Sequence, residues 1–395
     1  MLAPSMGRAR LFSLAVHGAD YATPEKCRQA PITASIPRTR GATLGPMQVL
    51  MKNQTAEGLR LRLEGVGLTA SAARRIQAAV LRRGVFPGPA PGLPAALLAS
   101  VRERSEIPRL ALLEKTVSPR DGFAKYLFRG AGPEPFEAVR IPLLHRPDDR
   151  KYVACVSSQV GCALGCAFCA TGRAGFVRDL APWEIVDQVL HVRDDSPHPV
   201  RGVVFMGMGE PLLNYDAVIA AARILSEPCG PAIAAKAITI GTAGIVSAIR
   251  RFTAEGHPFR LLVSLTSADP ALRGALMPVE QAHPTRDLVD ALREYHAATG
   301  RRVTLAWTMI SGFNTGEADA QQLADLARGL PVKLDLIDVN DPSGRFRPPD
   351  AEELGAFRDA LRRHLGAPVA RRYSGGADIR AACGMLAGCG TAKMP

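Results

Sequence analysis

The sequence lacks any apolar run close to the roughly 18 residues that a membrane-spanning helix needs. It contains no internal repeat, and residues 1–45 include no apolar segment of the kind found in secretory signals. Acidic residues are comparatively scarce, since 37 Asp and Glu stand against 49 Lys and Arg and leave a net charge of +12. These features argue against a protein with membrane helices, and the excess of positive charge favours an anionic partner such as nucleic acid.

Cysteine is too sparse for a disulfide framework, with eight in 395 residues. A chain of this length has enough core residues to fold without cross-links, and clustered cysteines in such a chain more often bind metal or do chemistry. We therefore predict a cytoplasmic protein whose cysteines are candidate ligands and nucleophiles. Cys27 and Cys229 have no chemical context and are interpreted as incidental.

Proline, glycine and charge patterns divide the chain into five predicted segments. The first is expected to be a disordered extension or the result of a start codon assigned too early, with Met47 or Met51 as the true start. The segments are the extension at 1–56, a helical accessory domain at 57–116, linking strands at 117–150, an α/β domain at 151–365 and a C-terminal segment at 366–395.

The helical domain is rich in arginine. Between residues 57 and 109 there are nine arginines and four glutamates, a net charge of +5. Thr69 can cap a helix that runs through Ile76 and Val80, and a second helix ends before Pro108. The charge is compatible with two interpretations, a solvated helix surface or a module that contacts phosphates.

From residue 151 onward, six apolar strands alternate with six helical segments. This pattern predicts a parallel sheet, either a partial (β/α)6 barrel or an open doubly wound sheet. In both architectures the chemistry takes place at the C-terminal ends of the strands. The predicted strands lie at 152–158, 201–206, 236–240, 260–265, 302–310 and 332–338, and the predicted helices near 182–193, 214–226, 245–254, 284–298, 316–328 and 350–364.

A triplet of cysteines follows the first of these strands with the spacing C-x3-C-x2-C, at Cys162, Cys166 and Cys169. Three thiolates on one short loop can ligate three irons of a [4Fe–4S] cluster and leave the fourth iron free. Radical S-adenosylmethionine enzymes use that free iron to bind their cofactor and cleave it to a 5′-deoxyadenosyl radical. The competing interpretation is a structural zinc site completed by Cys155, although zinc sites usually pair distant C-x2-C units.

The second strand ends in Met206-Gly-Met-Gly209-Glu210-Pro. Glycines in such a turn let the backbone approach a ligand closely, and Glu210 can accept hydrogen bonds from the amino group of the cofactor. Taken alone, the turn is equally typical of a tight strand–helix loop.

Three motifs in this order are similar to those of the RlmN/Cfr-type radical S-adenosylmethionine methyltransferases of ribosomal RNA. They are the run CVSSQVGCALGCAFC at 155–169, the turn MGMGEPLLN at 206–214 and the segment GADIRAACG at 376–384. The resemblance implies a radical SAM fold, here a partial (β/α)6 barrel with a small N-terminal helical domain. It also implies methylation of C2 of an adenosine in 23S ribosomal RNA, in some members also in transfer RNA.

The resemblance implies a role for each of thirteen residues. A cysteine carries a methyl group as a thioether to the adenine ring, a second cysteine releases the product through a transient disulfide, and a glutamate takes the ring proton. The implied roles are cluster ligation by Cys162, Cys166 and Cys169; S-adenosylmethionine contacts by Gly209, Glu210, Gly241, Ser264, Leu265, Thr266 and Asn340; methyl transfer by Cys383; resolution by Cys155; and proton acceptance by Glu137.

The residues themselves leave other interpretations open. Cys155 could be a small core residue, Glu137 an ordinary strand carboxylate, and Cys389 the methyl carrier in place of Cys383. The alternative functions are C8 methylation of the same adenosine or action on another RNA site. Non-catalytic RNA binding by an iron–sulfur protein is less favoured, because a binding module needs neither Cys155 nor Cys383. The expected partners are RNA and an external electron donor such as flavodoxin, for a monomer that does not bind membranes.

Several positions depart from the family pattern. Gly241 and Thr266 stand where the family usually has Ser and His, and Glu280 stands where it has Asn after Met-Pro. These departures affect residues expected around the cofactor, whereas the cysteines expected to do the chemistry are all present.

Overall fold

A computed structural model describes residues 48–143, 150–341 and 343–388. Its N-terminal part is a small helical module with its own apolar core, in which Met51, Leu59, Ile76, Val80 and Leu98 are buried. Thr69 caps the longest helix as predicted, because its hydroxyl accepts a hydrogen bond from the N–H of Ala72. The module contains β1 (Val49–Leu50), α1 (Ala56–Arg62), α2 (Ala70–Arg83), α3 (Ala95–Arg104) and β2 (Ser105–Glu106).

A ten-stranded mixed sheet forms the centre of the main domain. Three antiparallel strands lead into seven parallel ones, and the sheet runs in the order β14-β13-β12-β11-β10-β9-β6-β5-β4-β3. Its strands are β3 (Ala111–Val117), β4 (Ala124–Arg129), β5 (Phe136–Leu143), β6 (Lys151–Val156), β9 (Val200–Phe205), β10 (Ile238–Thr242), β11 (Arg260–Ser264), β12 (Val303–Met309), β13 (Val332–Asp338) and β14 (Val369–Arg372), and the separate hairpin is β7 (Gln159–Gly161) with β8 (Phe176–Asp179).

Helices connect the parallel strands and bury their apolar stripes against the sheet. Pro182 is the first residue of α5, where a missing N–H costs nothing, while Pro284 stands one residue before α10. The helices are α4 (Ala170–Ala174), α5 (Pro182–Asp194), α6 (Tyr215–Ser226), α7 (Val246–Ala254), α8 (Pro270–Leu276), α9 (Val279–Ala282), α10 (Thr285–Thr299), α11 (Glu317–Leu326) and α12 (Ala351–His364).

The predicted α/β architecture with six strand–helix units is confirmed. In the described part of the chain the sheet is open, with β3 and β14 at its two ends. None of the helices described is long and apolar enough to cross a membrane.

Three predicted boundaries differ from the structure. Residues 48–56, assigned to the extension, belong to the helical module, and Met51 is fully buried there. Residues 111–116, assigned to the helical domain, form most of β3. Apolar residues at exposed positions of this strand interrupt the alternation of apolar and polar residues that would have indicated an edge strand. Strand β14 adds part of the predicted C-terminal segment to the sheet. Residues 1–47 of the predicted extension lie outside the described residues.

A candidate active site lined by cysteines

The cysteine triplet lies on the loop between hairpin strands β7 and β8, immediately after β6. The N–H of Cys162 donates to the carbonyl of Gly175 at 2.9 Å, and the N–H of Cys169 donates to the carbonyl of Cys166 at 3.1 Å. Burial raises the pKa of Cys162 to about 11. Burial and then the neighbouring thiols of Cys169 and Cys162 raise the pKa of Cys166. The loop therefore holds the three thiols close enough to interact electrostatically.

The chemistry of this donor set fits an iron–sulfur cluster. All three side chains are thiols, and each can bind a different iron at a different corner. Within the described ranges, no three His, Cys, Asp or Glu side chains are grouped closely enough to hold a single metal ion. The three thiols are thus not arranged around one point.

The turn after β9 lies against this loop. Gly209 has φ +97°, and a Cβ there would lie 2.5 Å from the Cβ of Gln159, so only glycine fits. Glu210 is buried and accepts hydrogen bonds from the N–H groups of Leu212 at 2.9 Å and Ala243 at 2.8 Å. Burial raises its pKa, although both N–H groups lower it. Its charge acts on Cys162 and Cys166, which places the carboxylate near the expected cluster.

Gly241, on β10, is followed by a residue that supplies a hydroxyl. Gly241 itself pairs with Leu262 of β11 and contributes no side chain. The hydroxyl of Thr242 hydrogen-bonds Glu210 and accepts from the N–H of Gly244 at 3.0 Å. A hydroxyl is therefore present one residue later than the family pattern places it.

The end of β11 carries the next predicted contacts. Ser264 is half-buried, while Leu265 and Thr266 are buried, and both of these donate backbone N–H groups towards the carbonyl of Ala306. Thr266 has φ +63°, which is strained for a β-branched residue. Its hydroxyl is buried without a hydrogen-bond partner in the part of the chain that is described, as is that of Ser158. Unsatisfied polar atoms at strand ends fit a site for a polar ligand such as S-adenosylmethionine.

Arg273 is a residue of the site that the sequence reasoning missed. It is fully buried, and its guanidinium donates to the carbonyls of Leu265 at 3.2 Å and Ala243 at 2.7 Å. It also forms an ion pair with Glu280, which accepts from the N–H of Thr285 at 2.8 Å. An arginine seven residues before a glutamate, within an otherwise apolar stretch, is the sequence signal for this pair.

The C-terminal segment folds back over these strand ends. The carbonyl of Gly384 accepts from the N–H of Ala170 at 2.8 Å, directly beside Cys169. The Asn340 amide donates to the Ser374 hydroxyl at 2.8 Å and to the carbonyl of Cys383 at 3.4 Å. Asn340, predicted to contact the cofactor, thus also holds the segment that carries Cys383.

Cys155 and Cys383, the two further cysteines predicted to take part in the chemistry, lie on β6 and on the C-terminal segment. Cys155 is buried on β6, between Val139 of β5 and Val204 of β9. Burial first, and then the Cys383 thiol, raise the pKa of Cys155. Cys383 is exposed at the mouth of the site, where the surrounding protein and then Cys169 raise its pKa. The six cysteines of the described residues are all free thiols, and Cys27 and Cys389 lie outside those residues.

Glu137 anchors the same segment from β5. It is buried, and its Oε2 accepts from the N–H groups of Ala387 at 2.9 Å and Gly388 at 3.0 Å. Its Oε1 lies 2.9 Å from Nζ of the buried Lys125 but has no aligned hydrogen bond to a described residue. One oxygen thus holds the backbone, and the other is left with an ion pair alone.

Comparisons with known proteins agree with this geometry. The family model of the radical SAM superfamily matches residues 156–327. A probable RNA methyltransferase from Myxococcus xanthus is 49% identical over 341 residues, which cover 85% of this chain and 94% of that protein. A dual-specificity RNA methyltransferase RlmN from Syntrophobacter fumaroxidans is 39% identical over 86% of this chain and 98% of its own length. The crystal structure of a radical SAM methyltransferase from Sphaerobacter thermophilus is similar with a TM-score of 0.77 and 36% identity, covering 86% of this chain and 99% of that one.

Proposed function

This chain belongs to the radical SAM RNA methyltransferases of the RlmN type. We propose that it transfers a methyl-derived carbon from Cys383 to C2 of an adenosine. The proposed substrates are 23S ribosomal RNA and transfer RNA. One observation carries the proposal. The C-terminal segment that carries Cys383 is hydrogen-bonded through Gly384 to Ala170, the residue after Cys169, and through the Cys383 carbonyl to Asn340. A protein that only bound RNA would need neither Cys155 nor Cys383.

Cys162, Cys166 and Cys169 would hold the cluster, and Glu210, Thr266 and the adjoining strand ends would hold S-adenosylmethionine. When bound, this pair would supply the one-electron cleavage that yields a radical able to abstract a hydrogen atom. The buried Glu210 can accept hydrogen bonds from an amino group while its two backbone contacts hold it in place.

Cys383 would act first as a nucleophile. Its thiolate would attack the methyl carbon of the S-adenosylmethionine sulfonium, so that a carbon–sulfur bond to Cys383 forms, the bond to the sulfonium sulfur breaks and the neutral thioether leaves. Sulfur is nucleophilic enough for this substitution. After loss of a hydrogen atom, the carbon on the Cys383 sulfur bonds to the adenine ring and joins the protein to the RNA. Exposure of Cys383 at the mouth of the site gives an extruded base access to that carbon.

Glu137 and Cys155 would complete the reaction. The Oε1 atom of Glu137 is the carboxylate oxygen that can take the ring proton, because Oε2 is bonded to the backbone. The Cys155 thiolate then attacks the Cys383 sulfur. A sulfur–sulfur bond forms as the carbon–sulfur bond breaks, and the released carbon takes up one proton, so that it remains on the base as a methyl group. The unpaired electron introduced by the hydrogen-atom loss would return to a one-electron carrier, and an external two-electron reductant would restore both thiols. The flavodoxin-like electron donor, the monomeric state and the cytoplasmic location stay predictions.

Cysteine variants test the proposal. Anaerobically prepared protein is incubated with S-adenosylmethionine, a chemical reductant such as dithionite and an RNA hairpin that has adenines in its loop. The wild type should carry a mass increase of about 14 units on the Cys383 peptide, as expected for a methylated thiol, and should yield C2-methyladenosine. Cys383→Ala should lose both. Cys155→Ala should keep the methylated peptide and accumulate a protein–RNA adduct that survives denaturation, because no thiolate releases the product.

Cys229→Ala is the matched control, since Cys229 is half-buried beside Glu227 and outside the site. It should behave as the wild type, and iron content should be equal in all of these variants. Normal turnover by Cys155→Ala would remove Cys155 from the mechanism. A wild-type enzyme with bound iron that modifies no RNA adenine would refute the proposed function.

A further inference from the structure

An exposed aromatic ring lies on the C-terminal segment, ten residues before Cys383. Tyr373 follows β14 directly, and 72% of its surface is exposed, the largest value among the exposed large hydrophobic residues of the described chain. Burial of aromatic rings is normally favourable, so a ring left open next to an active site indicates a surface that meets a ligand.

The ring is held in one position although it is exposed. Its hydroxyl donates to Oδ2 of Asp121 at 3.0 Å, and its edge packs against Phe123 with ring centroids 6.1 Å apart. A Cβ at Gly375 would lie 2.5 Å from the Tyr373 ring, so the glycine makes room for it. The Asp121 carboxylate also accepts from the N–H of Gly376 at 2.8 Å. A preorganised ring loses little freedom when it stacks on a ligand.

The ring is connected to Cys383 through a short chain of contacts. Ser374, the next residue, accepts a hydrogen bond from the Asn340 amide, which also contacts the carbonyl of Cys383. Arg372, the residue before, is close enough to Cys383 to lower its pKa. One residue therefore separates Tyr373 from the contact that Ser374 and Asn340 make with the Cys383 segment.

Cations border the ring. Arg371 is exposed and paired with Asp338, and Arg372 is paired with Asp335. Arg120, adjacent to Asp121, is exposed, and the described residues offer its guanidinium no hydrogen bond or ion pair. An aromatic face next to arginines is the arrangement that binds an unpaired nucleotide, with the base stacked on the ring and the phosphates near the cations.

We propose that Tyr373 is a stacking platform for an unpaired base that flanks the target adenine in the RNA. This inference rests on the proposed function and adds a positioning residue to it. Stacking on Tyr373 would hold the strand beside the Cys383 segment after the target base has left its own stack. The ring itself takes no part in the chemistry.

The test compares four proteins on one RNA hairpin that carries 2-aminopurine next to the target adenine. The proteins are the wild type, Tyr373→Ala, Tyr373→Phe and Tyr373→Leu. Loss of the ring should raise KM for the hairpin on the order of tenfold or more, and should abolish the fluorescence quenching that stacking produces. Tyr373→Phe should stay close to wild type in both respects, whereas Tyr373→Leu should resemble Tyr373→Ala.

Methylation of Cys383 without RNA is the integrity control and should be equal in all four proteins. Leu112→Ala, at an exposed position near the start of β3 and away from the β3–β4 turn that contacts Tyr373, is the matched surface variant and should leave KM unchanged. A KM for Tyr373→Ala within twofold of wild type, or full activity and quenching in Tyr373→Leu, would overturn the stacking proposal. Absence of RNA methylation in the wild type would instead overturn the proposed function.

Discussion

At the scale of single residues, Glu137 has two separable tasks. Its Oε2 holds the backbone of Ala387 and Gly388, and its Oε1 faces Lys125. A carboxylate that only anchored the segment would act on every step that uses Cys383. A proton acceptor would act only after the RNA has been joined to the protein.

Glu137→Gln separates these tasks. A Gln oxygen can still accept from the two N–H groups, but it cannot take a proton at neutral pH. We expect RNA turnover to fall by roughly 10²- to 10⁴-fold, the usual contribution of a general base, while methylation of Cys383 without RNA continues. Mass spectrometry of the Cys383 peptide and gel analysis of the RNA adduct measure the two steps.

Lys125→Met/Glu137→Gln controls for the cation that the single change leaves buried and unpaired. It should recover thermal stability without recovering turnover. Equal loss of Cys383 methylation and RNA turnover in Glu137→Gln would show that Glu137 is only an anchor.

At the scale of structural elements, one buried arginine connects the ends of two strands. Arg273, on α8, bonds the carbonyl of Ala243 after β10 and the carbonyl of Leu265 after β11, and Glu280 on α9 balances its charge. Glu280 replaces an Asn of the family pattern, and the ion pair explains how a carboxylate is accommodated there. The strained Thr266 lies immediately after Leu265.

Arg273→Met should destabilise the protein by about 3 to 5 kcal/mol, because it leaves the Glu280 carboxylate buried and uncompensated. Arg273→Met/Glu280→Met should recover much of that loss, since no buried charge remains. Both variants should bind S-adenosylmethionine more weakly than the wild type, because neither has the Arg273 guanidinium that connects the carbonyls of Ala243 and Leu265. Thermal melting and equilibrium binding measure the two effects.

Arg293→Met is the comparison, because Arg293 forms an exposed ion pair with Asp290 on α10. Such surface pairs contribute little, so melting and binding should both be unchanged. Wild-type cofactor affinity in the double variant would show that Arg273 supports folding alone.

At the scale of the whole molecule, the arginines of the N-terminal module include two contrasting groups. Some donate to backbone carbonyls: Arg82 reaches Pro228 and Gly230, which ties α2 to the main domain, and Arg75 reaches Pro91. Others are exposed and have no hydrogen bond or ion pair within the described ranges. These are Arg62, Arg74, Arg83 and Arg104.

The second group can contact phosphates without loss of an existing bond. Arg74→Glu/Arg83→Glu should weaken RNA binding and lower the slope of log Kd against log salt by about 1 to 2 units, since fewer counterions are released. Arg328→Glu/Arg362→Glu makes the same charge change just after α11 and on α12, where both residues are exposed. Equal salt slopes in the two double variants would mean that the module makes no direct phosphate contact.

The sequence by itself determined the features that depend on neighbours along the chain. Alternating strands and helices predicted the parallel part of the sheet, because periodicity follows from local backbone geometry. The spacing of Cys162, Cys166 and Cys169 predicted a cluster loop, because three ligands within eight residues must lie close together. The sequence did not predict most of the edge strand β3, because exposed apolar residues interrupt the alternation of apolar and polar residues that is typical of a strand.

Only the tertiary structure decided how distant residues meet. Glu137 and Ala387 are 250 positions apart, and Tyr373 and Asp121 are 252 apart, yet each pair is joined by a hydrogen bond. No local periodicity encodes such contacts, because they depend on how the C-terminal segment crosses the completed sheet. The contact of Asn340 with the carbonyl of Cys383, the anchoring of the segment by Glu137 and the position of the Tyr373 ring all follow from that crossing.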